Sequence, residues 1–290
     1  MRKIILLTVI ATLALAALAC GVDLNLPITT DIKTGPTTIE EIRIPELGSA
    51  EEPTELTLAF GAGELFLSPG AENALLEGAA TYNVADLKPE TRIEGSRVEI
   101  SNGNLEIRGI PNFQEKVENI WQFELGKSPI VLTIKAGAYV GEYELGGLNL
   151  TRLHISDGAA DVELNFAEPN QAVMQSLRYE TGASNIVMTN LANANFETMI
   201  FQSGAGNYEL DFSGELQDDV EVFIETGLSN ITITVPDGTN VEITTEGGLS
   251  NVTTRGEWQI SGSTYSRTGA GPMLTINVEM GAGNLNLRIP

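Results

Sequence analysis

The chain has 290 residues, with 30 glycines, 6% aromatic residues and frequent Thr, Asn, Ile and Val, a composition of short strands joined by many corners. Its formal charge of −23, from 39 acidic against 16 basic side chains, repels phosphate backbones and excludes a nucleic-acid-binding surface. Cys20 is the only cysteine, which excludes an internal disulfide.

The chain opens with basic Met1-Arg-Lys and then 16 residues, Ile4 to Ala19, that are apolar but for two threonines. That run is short for a spanning helix and right for the apolar region of a signal peptide. The following Ala17-Leu-Ala-Cys20 resembles the bacterial lipoprotein signal, in which small residues precede an obligatory Cys. The resemblance implies that 1–19 is a signal peptide, that Cys20 becomes the mature N-terminus and that acyl chains on it anchor the protein to a membrane, extracytoplasmically, in the cell envelope. A plain secretory signal or an uncleaved anchor is the alternative. Residues 20–54 mix Thr, Pro and Glu with isolated Ile and read as a flexible tether, with one strand around Ile39 to Ile44.

Two-residue alternation sets in at Glu55 to Phe60 and resumes after Gly61 as Glu64 to Leu67. Further strands are expected at Ala74 to Tyr82, Arg97 to Ile100, Asn104 to Arg108, Trp121 to Leu125 and Ile130 to Lys135, with a loop at Asn83 to Pro89. Gln114 to Ile120 fits one short turn of helix, and no segment carries sustained helical periodicity.

From Gly137 onward one unit recurs, with its corner glycine at Gly137, Gly158, Gly182, Gly204, Gly227 and Gly248, spaced 21, 24, 22, 23 and 21 residues apart. Gly281 heads another copy and Gly61 an acidic variant upstream. Five and three residues before the Gly stand apolar pairs: Leu153 and Ile155, Leu177 and Tyr179, Met199 and Phe201, Val222 and Ile224, Ile276 and Val278. Apolar residues return four and six after it. Alternation on both sides of a glycine reads as strand, tight corner, strand. A unit so short cannot bury its own apolar face and must stack on its neighbours, so the expected fold is all-β, a stacked β-solenoid with a coil of about 21–24 residues. Stacking at about 4.8 Å would line up Asp161, Asn185, Asn207, Asn230, Asn251 and Asn284, each three after its Gly, as a structural polar ladder. Replacing Asn207 by Leu is then expected to cost about 1–3 kcal/mol through stranded neighbours. Arg288-Ile-Pro290 places a charge and a proline on an expected exposed last coil.

Chemistry-bearing patterns are scarce. His154, the sole histidine, lies between inward-pointing Leu153 and Ile155 and so should point outward, with no ligand set around it. The ladder is rich in amides where calcium-binding repeats need a carboxylate in every turn. No catalytic residue, metal or cofactor is therefore assigned. Carboxylates are the plentiful reactive groups: Glu163, Glu209 and Glu221 at outward parity, and Asp211, Asp218 and Asp219 near one inter-coil loop. Two of them brought together by stacking would make a glycoside hydrolase or lyase, the alternative reading. The simpler reading is a solvated acidic face that keeps the solenoid monomeric.

Gly61-Ala-Gly-Glu-Leu, Leu75-Leu-Glu-Gly78, Tyr82-Asn-Val84, Lys88-Pro-Glu90, Trp121 with Leu125, and Gly137-Ala resemble the N-terminal region of the toast-rack family of bacterial envelope proteins. Val235-Pro-Asp-Gly238, Val241-Glu-Ile243, Gly247-Gly-Leu-Ser-Asn-Val252 and the stretch Leu274 to Leu285 resemble the C-terminal domain of LiaF-like proteins, and also adhesin-like repeats. These resemblances imply a toast-rack-like region over 55–150, LiaF-like or adhesin-like repeats over 151–290, and a non-enzymatic binding, adhesive or envelope-stress-linked role. An envelope protein, a lipid or a cell-wall glycan is the expected partner. A purely structural spacer is the third reading.

Overall fold

The computed structural model describes residues 30–31, 33–47, 52–102, 111–112, 116–248 and 251–290. Its strands are β1 (Thr30–Asp31), β2 (Thr38–Ile44), β3 (Thr54–Pro69), β4 (Leu76–Tyr82), β5 (Pro89–Glu94), β6 (Arg97–Asn102), β7 (Pro111–Asn112), β8 (Asn119–Leu125), β9 (Ile130–Glu144), β10 (Leu150–Asp157), β11 (Ala159–Asn165), β12 (Met174–Thr189), β13 (Phe196–Asp211), β14 (Val220–Thr234), β15 (Asn240–Gly247), β16 (Asn251–Arg255), β17 (Gln259–Ser261), β18 (Thr264–Arg267) and β19 (Met273–Arg288). Only two short 3₁₀ turns, Ala85–Leu87 and Leu191–Ala194, interrupt them among the described residues. The helical turn expected at Gln114 to Ile120 does not form over its described part: Asn119 and Ile120 already belong to β8, whose alternation continues through Trp121 and Phe123. The strand expected at Asn104 to Arg108 lies outside the described residues. β1 and β7 pair in parallel in a separate small unit. Everything below concerns the second unit, Thr34–Leu105 with Val117–Pro290.

That unit is an all-β solenoid. Parallel pairing runs without a break from β3 to β9, to the β10 and β11 pair, then β12, β13, β14, β19 and finally the β15 and β16 pair. Each rung has two arms that meet at a glycine. β14 shows how sequence makes the corner: Val220, Val222, Ile224 and Thr226 are buried, Gly227 and Leu228 both face out, and burial resumes on the other parity at Ser229, Ile231 and Ile233. Two consecutive outward residues shift the alternation and turn the sheet. Leu153, Ile155, Leu177, Met199 and Val222 are fully enclosed, each contributing on the order of 1.5–3 kcal/mol from burial. A 16-residue strand that forms both arms of one coil, such as β12, can only bury its inner face against the next rung.

The corner glycines Gly61, Gly137, Gly158, Gly182, Gly204, Gly227, Gly281 and Gly248 lie over one another in that order. A Cβ added at Gly204 would come 2.5 Å from the carbonyl oxygen of Gly182, and one at Gly281 would come 2.8 Å from that of Gly227. The Asn side chains run beside them: Asn207 donates to Asn185 at 3.0 Å, Asn230 to Asn207 at 3.1 Å and Asn284 to Asn230 at 2.7 Å. Asp161 stands in register with Asn185, and Asn251 with Asn284. All six ladder residues are exposed.

Rung order departs from chain order. β19 lies between β14 and the β15 and β16 pair, so the last copy of the unit is interior to the column and Arg288-Ile-Pro290 does not guard an end. The long connection after β14 folds back first as β15 to β18 and leaves a slot of matching register for β19. Antiparallel strands finish the column instead, β18 and β17 beyond β15, and at the other end β5 beyond β6 with β4 and β2 beyond β8. β2 falls within the stretch expected to be a tether, and its Ile42 and Ile44 join the core.

Candidate ligand-binding trough

The outer side of the second arms is concave where β4, β8, β3, β9, β11 and β12 meet, forming a trough of about 850 Å³. Register places Gln122, Phe66, Glu142, Glu163 and Val187 in one row across neighbouring rungs. A second row, two residues further on, holds Glu124 beside Ser68, and Glu144 beside Asn165 and Thr189. Strand geometry explains the clustering, since residues at outward parity on stacked rungs repeat every 4.8 Å or so.

One wall is fixed. Glu144 accepts from the backbone N–H of Gly146 at 2.8 Å and of Ala167 at 3.0 Å, and from Asn165 Nδ2 at 2.6 Å. Asn165 Oδ1 in turn accepts from Thr189 Oγ1 and Asn190 Nδ2, both at 2.8 Å. On the opposite wall Glu77 is paired with Arg43. The floor is Phe66 and Val187, with Glu142 and Glu163 side by side between them. Like charges on adjacent strands cost stability unless a donor or a cation joins them. Among the described residues no Lys, Arg or His lines the trough. An aromatic floor with carboxylate and amide acceptors suits a ligand with an apolar face and many hydroxyl or amine donors.

Inside the corner the structure places a group that the sequence reading passed over. Asp157, one residue before Gly158, points inward and accepts from Tyr179 Oη at 2.8 Å, Tyr139 Oη at 3.3 Å and Thr181 Oγ1 at 2.5 Å. Burial pushes its carboxyl above the ordinary 3.8, while the hydroxyls of Thr181, Tyr179, Tyr139 and Ser184 work against that rise. Burial raises Tyr139 and Tyr179 too, which keeps both as donors. The available signal was a carboxylate at inward parity.

The acids singled out from sequence are dispersed. Glu163 lines the trough, but its neighbours there are Glu142, Glu124 and Glu144. Asp211 is taken up by Ser213, whose backbone N–H and hydroxyl both donate to it, and Asp219 accepts from the N–H of Met273 at 2.7 Å. His154 is half-exposed on the outer side of the first arm, with Nε2 2.9 Å from Glu180. Arg178 and then His154 hold Glu180 below the usual carboxylate value. Among the described residues no group of three His, Cys, Asp or Glu side chains could hold a metal ion, and no helix is long and apolar enough to cross a membrane. Cys20 lies outside the described residues.

Residues 33–176 match the family model described as the N-terminal domain of toast_rack, DUF2154. Among solved structures the chain is similar to a candidate cell adhesion protein from Clostridium sporogenes, at 21% identity and a TM-score of 0.49, over 88% of this chain and 100% of that one. It is also similar to a candidate adhesin from Parabacteroides merdae, at 10% identity and a TM-score of 0.39, over 89% and 98% of the two chains. A candidate lipid-binding protein from Parabacteroides distasonis is 11% identical with a TM-score of 0.35, over 89% and 99%. No curated protein matches the chain.

Proposed function

We propose that the protein is a non-enzymatic binding module of the bacterial cell envelope, held to a membrane by acyl chains on Cys20, that captures cell-wall glycan in the trough. The trough itself carries the reading: Phe66 offers a ring face for a sugar, while Glu142, Glu163, Glu124 and Gln122 accept from hydroxyl or amine donors. Neutral or amine-bearing glycan fits it, and anionic polymers are repelled by the same glutamates and by the overall charge of −23. The signal-like N-terminus and the match of 33–176 to the toast_rack domain support the envelope setting. The LiaF-like resemblance of the C-terminal repeats supports a link to envelope stress.

The second reading is a glycan-cleaving enzyme, favoured by the adjacency of Glu142 and Glu163 on neighbouring rungs. One experiment separates the two: incubate the full chain with purified peptidoglycan and follow both retention on the polymer and release of soluble sugars. Retention without release supports the binding module. Release that disappears in Glu142→Gln or Glu163→Gln establishes the enzyme, and neither retention nor release leaves the structural spacer.

A further inference from the structure

The outer face of the first arms carries a charge pattern that the trough does not use. Its middle seven rungs run in the order β9, β10, β12, β13, β14, β19 and β15, each presenting residues six, four and two before its corner glycine, with β3 next beyond β9 and β18 next beyond β15. Basic side chains collect toward one end, with Lys135, Arg152, His154 and Arg178 against two acids that are already held, Glu180 by Arg178 and His154 and, on the adjoining rung β3, Glu55 by Arg97. The other end presents Glu221, Glu225, Glu279, Glu242 and Glu246 with no cation among them. Ile200 is the central residue of the central rung, and Phe223 beside it is 41% exposed.

We propose that this face docks on a second copy of the chain, antiparallel, about a two-fold axis through Ile200. Half a turn about that axis exchanges β12 with β14, β10 with β19 and β9 with β15, and reverses strand direction. Arg152 then faces Glu279 of the second copy, Lys135 faces its Glu242, and Arg178 faces its Phe223 between Glu221 and Glu225. Each match occurs twice, as an isologous contact requires. A hollow of about 330 Å³ lined by Phe223, Glu225, Thr244, Glu246, Asn277 and Glu279 receives both guanidinium groups, Arg178 at its Phe223 margin and Arg152 at Glu279, and an aromatic face flanked by carboxylates suits them. The like-charged match, Glu180 against Glu221, is softened because Glu180 is already paired. The remaining charge of the protein is spread over other faces and is screened beyond roughly 8 Å at physiological ionic strength. Seven rungs at about 4.8 Å and arms of about 20 Å give on the order of 600 Å² per protomer, or roughly 1,200 Å² in all, the size of a weak, reversible dimer.

Sedimentation velocity on the full chain carrying Cys20→Ser tests this. A concentration-dependent dimer at moderate salt that dissociates near 1 M NaCl is expected. Arg152→Glu alone and Glu279→Arg alone should each weaken it at least about tenfold, since each places like charges opposite one another twice. Mixing the two variants should restore association to within about threefold of the parent chain, because both contacts then pair opposite charges. Thermal unfolding of each variant checks that the column is intact. A chain that stays monomeric near 100 µM, a dimer indifferent to both reversals, or a mixture that fails to associate overturns the proposal.

Discussion

Replacing Gly204 by Ala probes a close backbone contact between rungs. The added Cβ would sit 2.5 Å from the Gly182 carbonyl oxygen and 3.4 Å from its carbon, both backbone atoms that cannot rotate away. Rungs at that corner must separate by at least half an ångström, and overpacking of this kind costs about 1–3 kcal/mol. Gly61 supplies the control: it heads the glycine column with nothing within 4 Å of an added Cβ. There the substitution only stiffens the unfolded chain, a gain of about 0.4–1 kcal/mol. Gly158, whose Cβ would meet the Gly137 oxygen at 3.0 Å, should fall between the two. Urea denaturation of the three variants, followed by circular dichroism, should order their midpoints Gly61→Ala, then Gly158→Ala, then Gly204→Ala. Equal losses at Gly61 and Gly204 would show that close approach does not govern these positions.

Asn207→Leu removes hydrogen bonds on both sides of the exposed amide column, but Asn185 and Asn230 can turn to water, so the cost should be about 0.5–1.5 kcal/mol by the same denaturation assay. A loss well above 2 kcal/mol would mean that the amides act as a buried unit. Asp157 binds its proton more tightly folded than unfolded, so its contribution to stability is complete below the ordinary 3.8 and is lost as pH rises through the raised folded value. The stability of the parent chain relative to Asp157→Asn should therefore decline over that interval, and parallel pH profiles would remove the carboxylate from the explanation. Cys20→Ser should abolish fatty-acid labelling and release the protein from membranes, whereas unchanged labelling would refute the anchor.

How far the fold was legible follows from what alternation encodes. The pattern around each glycine specifies arms, corner and inward face, and it places His154 outward, as the structure has it; the strand expected near Ile39 to Ile44 forms as β2, although the stretch around it reads as a tether. It does not choose neighbours. Asn230, Asn251 and Asn284 occupy equivalent positions on units of nearly the same pattern, so nothing local says that β19 slides between β14 and β15. The stacking of β3 on β9 spans a similar gap, because Gly61 and Gly137 carry the same motif with several strands between them. The trough was hidden for the same reason. Glu142 and Glu163 stand five after Gly137 and Gly158 and so follow from the repeat, but Glu124, Gln122 and Phe66 join them only when β8 and β3 are brought beside β9. Asp157 shares the inward parity of Leu153 and Ile155, so alternation marks its position as core and gives no sign of the Tyr139, Tyr179 and Thr181 hydroxyls that meet its carboxyl.

Capture of a glycan in the trough is tested most directly by titrating soluble N-acetylglucosamine oligomers, the neutral sugars of a cell-wall glycan, into the full chain in a calorimeter, with the parent protein and Phe66→Ala compared under one buffer. Saturable binding by the parent that falls at least about tenfold when the ring is removed, the loss expected for an aromatic contact and its buried area, is the result predicted here. Equal affinity in the two proteins, or no heat from either, would contradict it.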